Sequence, residues 1–260
     1  MNPRRPHTDP TVAVIVPAYN EARNLEIMLP SLPPVDEVIV VDGNSADDTL
    51  ATVARVMPKA QVVQQTRRGK GNALACGFEA ATADIIVMFD ADGSADPYEI
   101  DIMVQALKDG ADFVKGSRAL TGGGSVDLTP IRNLGNRALT GMVNALFGTG
   151  YTDLCYGYNA FWRDVVPHFR LPPVDDHSDR MHWGDGFEIE TILNCRAAHG
   201  DLVVDEVPSF ELARIHGGSN LHAVRDGLRV LRTIVDERRS LPLGRARHDA
   251  GSALLYAQSA

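Results

Sequence analysis

The sequence predicts an α/β fold, a Rossmann-like and mostly parallel central sheet flanked by helices, and two observations carry that expectation. Short apolar, β-branched runs recur through the first half at 12–16 (VAVIV), 37–41 (EVIVV), 60–65 (AQVVQQ), 84–89 (DIIVMF) and 112–116 (DFVKG). They lack strict alternation, as strands covered on both faces do. Segments of helical periodicity separate them, giving the strand–helix–strand rhythm of a doubly wound sheet. Ligands of such sheets gather beyond the carboxyl ends of the strands.

The elements follow in order. After the second strand, Ser45 with Asp48 three residues on has capping-box spacing, and Leu50, Val53, Ala54 and Met57 supply a stripe. Leu74, Gly77, Phe78 and Ala81 do so for the next helix. Asp96, Pro97 and Glu99 open another, with Ile100, Met103, Val104 and Leu107 on one face. Past Gly116 the rhythm loosens. The loop TGGGSVDLTP (121–130) reads as a mobile lid or a plain connector. A helix across 131–147, a strand at GYNAFW (157–162), a helix at GFEIETILNCRAA (186–198) and a strand at DLVVDEV (201–207) follow. The expected layout is a flexible stretch at 1–10 and one folded domain at 11–220. That domain has a nucleotide-binding half (11–116) and a second half (117–220) that binds something else. A helix at 221–240 and a loose tail at 241–260 complete the chain. The last helix carries Leu221, Val224, Leu228, Leu231 and Val235 on one side, with Arg225, Arg229, Arg232, Arg238 and Arg239 around it. The preferred reading packs that stripe on the domain; the same pattern suits anionic lipid or a homodimer.

At 260 residues, with 44% hydrophobic and 23% charged residues, the chain can bury a substantial core. Its net charge of −9 argues against broad nucleic-acid binding. Cys76, Cys155 and Cys195 are odd in number and lack metal-ligand spacing, so they read as small hydrophobes in a reducing compartment. No signal-peptide pattern opens the chain, and no run approaches a membrane span. The expectation is a cytoplasmic protein whose membrane contact, if it has one, is peripheral.

The stretch FDADGSADP (89–97) concentrates carboxylates where the fourth strand ends. A calcium loop there fails mechanically, because Ala95 stands where the sharp turn needs glycine. Asp96 is suited to capping the next helix. Asp90 and Asp92, two residues apart at a strand terminus, suit Mg²⁺ or Mn²⁺, which take one or two carboxylates plus phosphate oxygens. Lys70, in RRGKG (67–71), sits where glycines would let an anion approach a helix N-terminus.

The segments VIVPAYNEARNL, VIVVDGNSADDT, RRGKGNALACGF, FDADGSADP and GSR (116–118) occur in the order and spacing of the nucleotide-sugar half of family 2 glycosyltransferases of the GT-A fold, which the chain therefore resembles. Its second half resembles the polyprenyl-phosphate (dolichyl-phosphate mannose synthase-like) sugar transferases in IRNLGNRALTGMVNALFG, TDLCYGYNAF, GFEIE and EVPSFELARIHGGSN. The resemblance covers residues 12–221. It implies that Pro17, Tyr19 and Glu21 pack on the base and ribose, that Asp42 bonds to them, and that Lys70 contacts the diphosphate. It further implies that Asp90 and Asp92 hold the metal and diphosphate, with Asp92 the direct ligand; His216, close to Arg214 in the sequence, reads as a third ligand or a diphosphate contact. Arg118 and Arg214, flanked by Arg132, Arg137 and Ser219, would cradle the acceptor. Three positions depart from the pattern: Gly43 replaces the second Asp of the commoner pair, Asn159 stands where many relatives have Arg, and Asn220 where many have Lys.

The activity implied is inverting transfer of a glucose- or mannose-type sugar from a UDP- or GDP-sugar to a polyprenyl phosphate. The alternative is a hydroxyl acceptor, which needs a general base; Asp153 and Asp185 are the candidates. A phosphate acceptor needs cations instead of a base. A retaining transferase, a nucleotidyltransferase and a non-catalytic nucleotide-binding module rank below these readings.

Overall fold

A computed structural model describes Arg5 and residues 8–178, 180–200, 202–218 and 223–240, with side chains of the last segment from 226. The elements run β1 (Val12–Ala18), α1 (Ala22–Ser31), β2 (Glu37–Asp42), α2 (Thr49–Val56), β3 (Gln61–Gln64), α3 (Lys70–Ala80), β4 (Ile85–Met88), α4 (Glu99–Lys108), β5 (Phe113–Ser117) and β6 (Gly124–Ser125). They continue with α5 (Pro130–Phe147), β7 (Asn159–Trp162), a 3₁₀ turn at Arg163–Phe169, α6 (Ile189–Ala198), β8 (Val204–Pro208), β9 (Phe210–Glu211) and α7 (Ala223–Ser240).

Seven strands form one sheet in the order β3-β2-β1-β4-β7-β5-β8, so both halves of the chain share a single core. All neighbours pair in parallel except β7, which runs antiparallel between β4 and β5. The order turns at β1 and β4, whose carboxyl ends therefore flank the crevice where α/β sheets bind ligands. Ile15, Ile39, Val87 and Val114 are wholly buried, as strands covered by helices on both faces require. Phe161 of β7 stacks on Phe113 of β5 (centroids 5.5 Å apart) and receives the edge of Phe78 from α3.

Several local expectations are corrected. Ser45 does not cap α2: its Oγ accepts from the Asn20 amide, and Asp47 Oδ1 takes the Thr49 amide at 3.0 Å. Thr49, Thr52 and Val53 form the buried side of α2, leaving Leu50 and Ala54 exposed. The loop at 121–130 is pinned rather than free. β6 pairs with β9, and Ser125 Oγ donates to Glu211 at 2.5 Å while accepting from the Asp127 and Leu128 amides. Thr129 then caps α5 by accepting from the Arg132 amide, with Pro130 in the first turn. Arg5, within the stretch expected to be flexible, pairs with Asp112 and with Asp164. α7 packs on the domain through Val230, Thr233, Ile234 and Glu237, with Leu231 and Val235 of the expected stripe partly buried beside them and Leu228 exposed. The expected tail at 241–260 lies outside the described residues, as do Ser219, Asn220 and Leu221.

Candidate active site

The turn after β4, the loop after β1, the N-terminal end of α3 and the segment 212–216 meet at the sheet's turning point. Lys70 Nζ lies 2.7 Å from Asp90 Oδ1 and 2.6 Å from Glu190 Oε1. Burial disfavours its charge, but the two carboxylates more than offset that and raise its pKa. Arg214 Nη1 stands 2.9 Å from Asp92 Oδ2, and Asp92 is buried. Two backbone bonds strap the Arg214 segment over the acidic turn, from Leu212 to the Ser94 carbonyl (2.8 Å) and from Ile215 to that of Asp92 (3.0 Å). Glu21 completes the cluster. Burial pushes its pKa up, the Asp92 and Asp90 charges add to the rise, and Asn24 and Arg214 offset it only in part.

Among the described residues, no three His, Cys, Asp or Glu side chains are grouped to hold a metal ion unaided. His216 is therefore not placed as a third ligand; its backbone carbonyl accepts from Asn24 Nδ2 at 3.3 Å. Two acids flanked by two cations fit a hard divalent ion that completes its shell with phosphate oxygens and water.

The expected anion seat at the N-terminus of α3 is already filled. The Asp185 carbonyl accepts from the amides of Gly71 (2.8 Å) and Asn72 (3.2 Å). A Cβ at Gly71 would stand 1.8 Å from the Gly184 carbonyl oxygen, so this glycine serves a protein–protein backbone contact. Lys70 reaches the site through its side chain alone. Asp42 is buried at the end of β2, and its carboxylate accepts from the amides of Asn44 (3.1 Å) and Ser45 (3.3 Å) and from Gln64 (3.2 Å). It shapes the turn rather than presenting an open acceptor. Half-buried Pro17 lies in the last part of β1, and exposed Tyr19 follows the strand directly. Gly43 backs Tyr19, where a Cβ would come within 3.1 Å of the tyrosine Cβ.

Both candidate bases are locked in guanidinium pairs. Asp185 accepts from Arg67 Nε (2.8 Å) and Nη2 (3.0 Å) and from the His182 amide (2.7 Å); both side chains are buried. Asp153, also buried, accepts from Arg118 Nε (2.7 Å) and Nη2 (3.0 Å) and from Asn136 Nδ2 (2.7 Å). Burial raises the Asp153 pKa, but Arg118, Lys115 and Asn136 outweigh it and hold the carboxyl below the usual range. Arg118 is itself committed, with its remaining Nη1 on Glu211 at 3.0 Å and its plane over Tyr156. It braces the site rather than opening toward an acceptor. Arg132 faces Asp127 at 3.5 Å, and Arg137 is exposed on α5.

Sequence reasoning missed three partners. Glu190 holds Lys70, and Arg67 holds Asp185. Lys115 on β5 is fully buried opposite Asn159 on β7, its Nζ 3.5 Å from Asn159 Oδ1. Burial lowers the Lys115 pKa, and Glu206 and Asp153 counter it in part. A cation thus lies beside the position where the resemblance finds Asn in place of Arg. A charged residue inside a buried parallel strand was the one available signal.

A crevice at the turning point of a mixed α/β sheet, with paired acids and cations beyond β4, is the architecture of a phosphate-handling nucleotide site. The chain belongs to glycosyl transferase family 2, whose sequence pattern matches residues 13–169. An uncharacterized glycosyltransferase of Mycobacterium tuberculosis is 42% identical over 107 residues, 41% of this chain and 48% of that protein, so the match spans about half of that relative's length. The undecaprenyl-phosphate mannosyltransferase of Micrococcus luteus is 30% identical over 220 residues, 81% of this chain and 87% of that one. A crystal structure of glucosyl-3-phosphoglycerate synthase from M. tuberculosis, in complex with Mn²⁺, UDP and glucosyl-3-phosphoglycerate, superposes with a TM-score of 0.66 at 24% identity. The match covers 90% of this chain and 81% of that one, and the shared fold is GT-A.

Proposed function

We propose that the chain is a metal-dependent, inverting glycosyltransferase that moves a glucose- or mannose-type sugar from a nucleotide diphosphate to a polyprenyl phosphate. The observation that carries the acceptor reading is the sequestration of both candidate bases, Asp153 and Asp185, in buried arginine pairs. A hydroxyl acceptor needs a carboxylate free to take its proton, whereas a phosphate monoester arrives already ionised. The undecaprenyl-phosphate acceptor named for the M. luteus relative supports the same class. For the donor, the UDP and Mn²⁺ of the structural neighbour support a nucleotide sugar and a divalent ion.

Asp92 and Asp90 would hold Mg²⁺ or Mn²⁺, which when bound supplies Lewis-acid neutralisation of the leaving diphosphate. Lys70 and Arg214, each already facing one of those acids, stand where phosphate oxygens would meet them. Tyr19 offers an exposed ring at the end of β1 for the nucleoside. Glu190 is a positioning residue that fixes Lys70. The acceptor phosphate attacks the anomeric carbon from the face opposite the departing diphosphate, with inversion.

The test pairs each of a panel of UDP- and GDP-sugars with a polyprenyl phosphate or with the matching polyprenol. The expected result is glycolipid from the phosphate alone, lost on chelation of the metal. Transfer to the free alcohol at a comparable rate contradicts the acceptor reading.

A further inference from the structure

We propose that Glu99, in the first turn of α4, is a positioning residue that sets where the Arg214 guanidinium meets the donor diphosphate. Its buried carboxylate accepts from the Phe210 amide at 2.8 Å and from the Ser209 hydroxyl. Among the described residues no Lys, Arg or His forms an ion pair with it. Burial pushes its pKa up, and those two bonds counter the rise only in part. Ser209 is wholly buried as well. Its amide donates to the Ser117 carbonyl (3.0 Å), and its own carbonyl accepts from the Gly124 amide (3.1 Å). One carboxylate thus fixes the point where the chain passes from β8 into β9.

From that point the chain runs directly into the site. The Leu212 amide is held by the Ser94 carbonyl and the Ile215 amide by that of Asp92. The Ile215 side chain fills the space over Gly93, whose φ is +74°; a Cβ there would stand 2.4 Å from Ile215 Cδ1. Arg214 reaches inward from this strap, with Nη1 2.9 Å from Asp92 Oδ2. The strap is therefore fastened to α4 at one end and to the acidic turn at the other, and both fasteners lie between residues 92 and 99. An arginine stem has many rotamers, so the placement of its backbone decides where its head can act. A shift of about 1 Å in a group that holds substrate can cost about a hundredfold in rate. An apolar side chain would fill the place of Glu99 without the desolvation cost of a carboxylate. It would not fix a direction, as two hydrogen bonds from the Ser209–Phe210 backbone and hydroxyl do. Both Glu99 oxygens are engaged, which leaves this residue no part as a base. The role rests on the nucleotide-diphosphate donor proposed above.

The experiment measures dissociation constants of UDP, GDP, UMP and GMP for the full chain by calorimetry in buffer with Mg²⁺, and amide hydrogen exchange without ligand. In Glu99→Met the diphosphate that the parent binds should weaken about tenfold, while the corresponding monophosphate keeps the parent's affinity. Glu99→Gln retains an oxygen for the Phe210 amide and should stay within about threefold of the parent. In an Arg214→Ala background, Glu99→Met should cost nothing further. The Leu212 and Ile215 amides should exchange about tenfold faster in Glu99→Met than in the parent. Equal weakening of mono- and diphosphate, or a loss that persists in full without Arg214, overturns the proposal. So does unchanged exchange at Leu212 and Ile215. If Glu99→Met does not fold, Ser209→Ala removes one of the two bonds and must show the same loss confined to the diphosphate; equal affinity for it overturns the proposal. A parent that binds neither UDP nor GDP overturns the donor reading and this role with it, whereas diphosphate binding without the selective loss overturns this role alone.

Discussion

A carboxylate acts as a general base only when one of its oxygens is open to the incoming proton. At Asp153 and Asp185 a guanidinium already spans both oxygens. Arg67–Asp185 holds the second half of the chain to the first across 118 positions, and Arg118–Asp153 closes 35 positions within the second half. Breaking a buried pair by removing one charge costs about 3–5 kcal/mol. Asp153→Asn and Asp185→Asn are each expected to lose stability on that scale in urea unfolding, while transfer per folded molecule stays within a few-fold of the parent. A loss of turnover without loss of stability points instead to a base. Asp153 also sets a pH signature. Its folded pKa lies below the unfolded value of about 4, so its charge stabilises the fold above that value. This stabilisation fades as pH falls through the folded pKa. The acid limb of the stability curve should therefore be shallower in Asp153→Asn. The residue types at these positions were legible in the sequence; their partners were not, because nothing local links residues so far apart.

At the scale of elements, the joint between α3 and the 184–185 backbone decides how Lys70 enters the site. RRGKG reads as an anion loop because glycines at a helix start usually clear space for a ligand. Here the cleared space admits the Asp185 carbonyl. Gly71→Ala forces a methyl against the Gly184 oxygen, and neither backbone can yield cheaply. A loss of about 2 kcal/mol or more is expected in thermal or urea unfolding. A melting temperature equal to the parent's contradicts the close contact. Helix existence and extent were legible from periodicity, and the buried side of α4 follows the predicted stripe, whereas α3 is buried all round from Gly71 to Phe78. The inward sides of α2 and α7 also carry polar residues that the apolar stripes pass over. Periodicity picks the most apolar side, yet polar residues can face the core when their polar ends are satisfied. Thr233 Oγ1 donates to the Arg229 carbonyl at 2.9 Å, and Glu237 accepts from Arg196.

For the whole molecule, the parallel β1–β5 series was readable because uninterrupted β-branched runs separated by helices admit few other arrangements. The antiparallel insertion of β7 was not, since apolar character carries no strand direction. That insertion matters: it joins the second half of the chain to β4 and sets Asn159 beside Lys115, behind the acidic turn. The single sheet turns at β1 and β4, so Glu21, Asp90, Asp92, Lys70 and Arg214 meet although they come from separate parts of the chain. The central claim is that Asp92, with Asp90 beside it, carries the divalent ion that accompanies the donor diphosphate. Manganese anomalous diffraction from crystals grown with UDP or GDP and Mn²⁺ tests it most directly. The account predicts one peak about 2.1–2.2 Å from an Asp92 carboxylate oxygen, bridged to the diphosphate and absent in Asp92→Ala. A nucleotide-bound structure whose manganese peak lies away from the end of β4, or survives in Asp92→Ala, contradicts it.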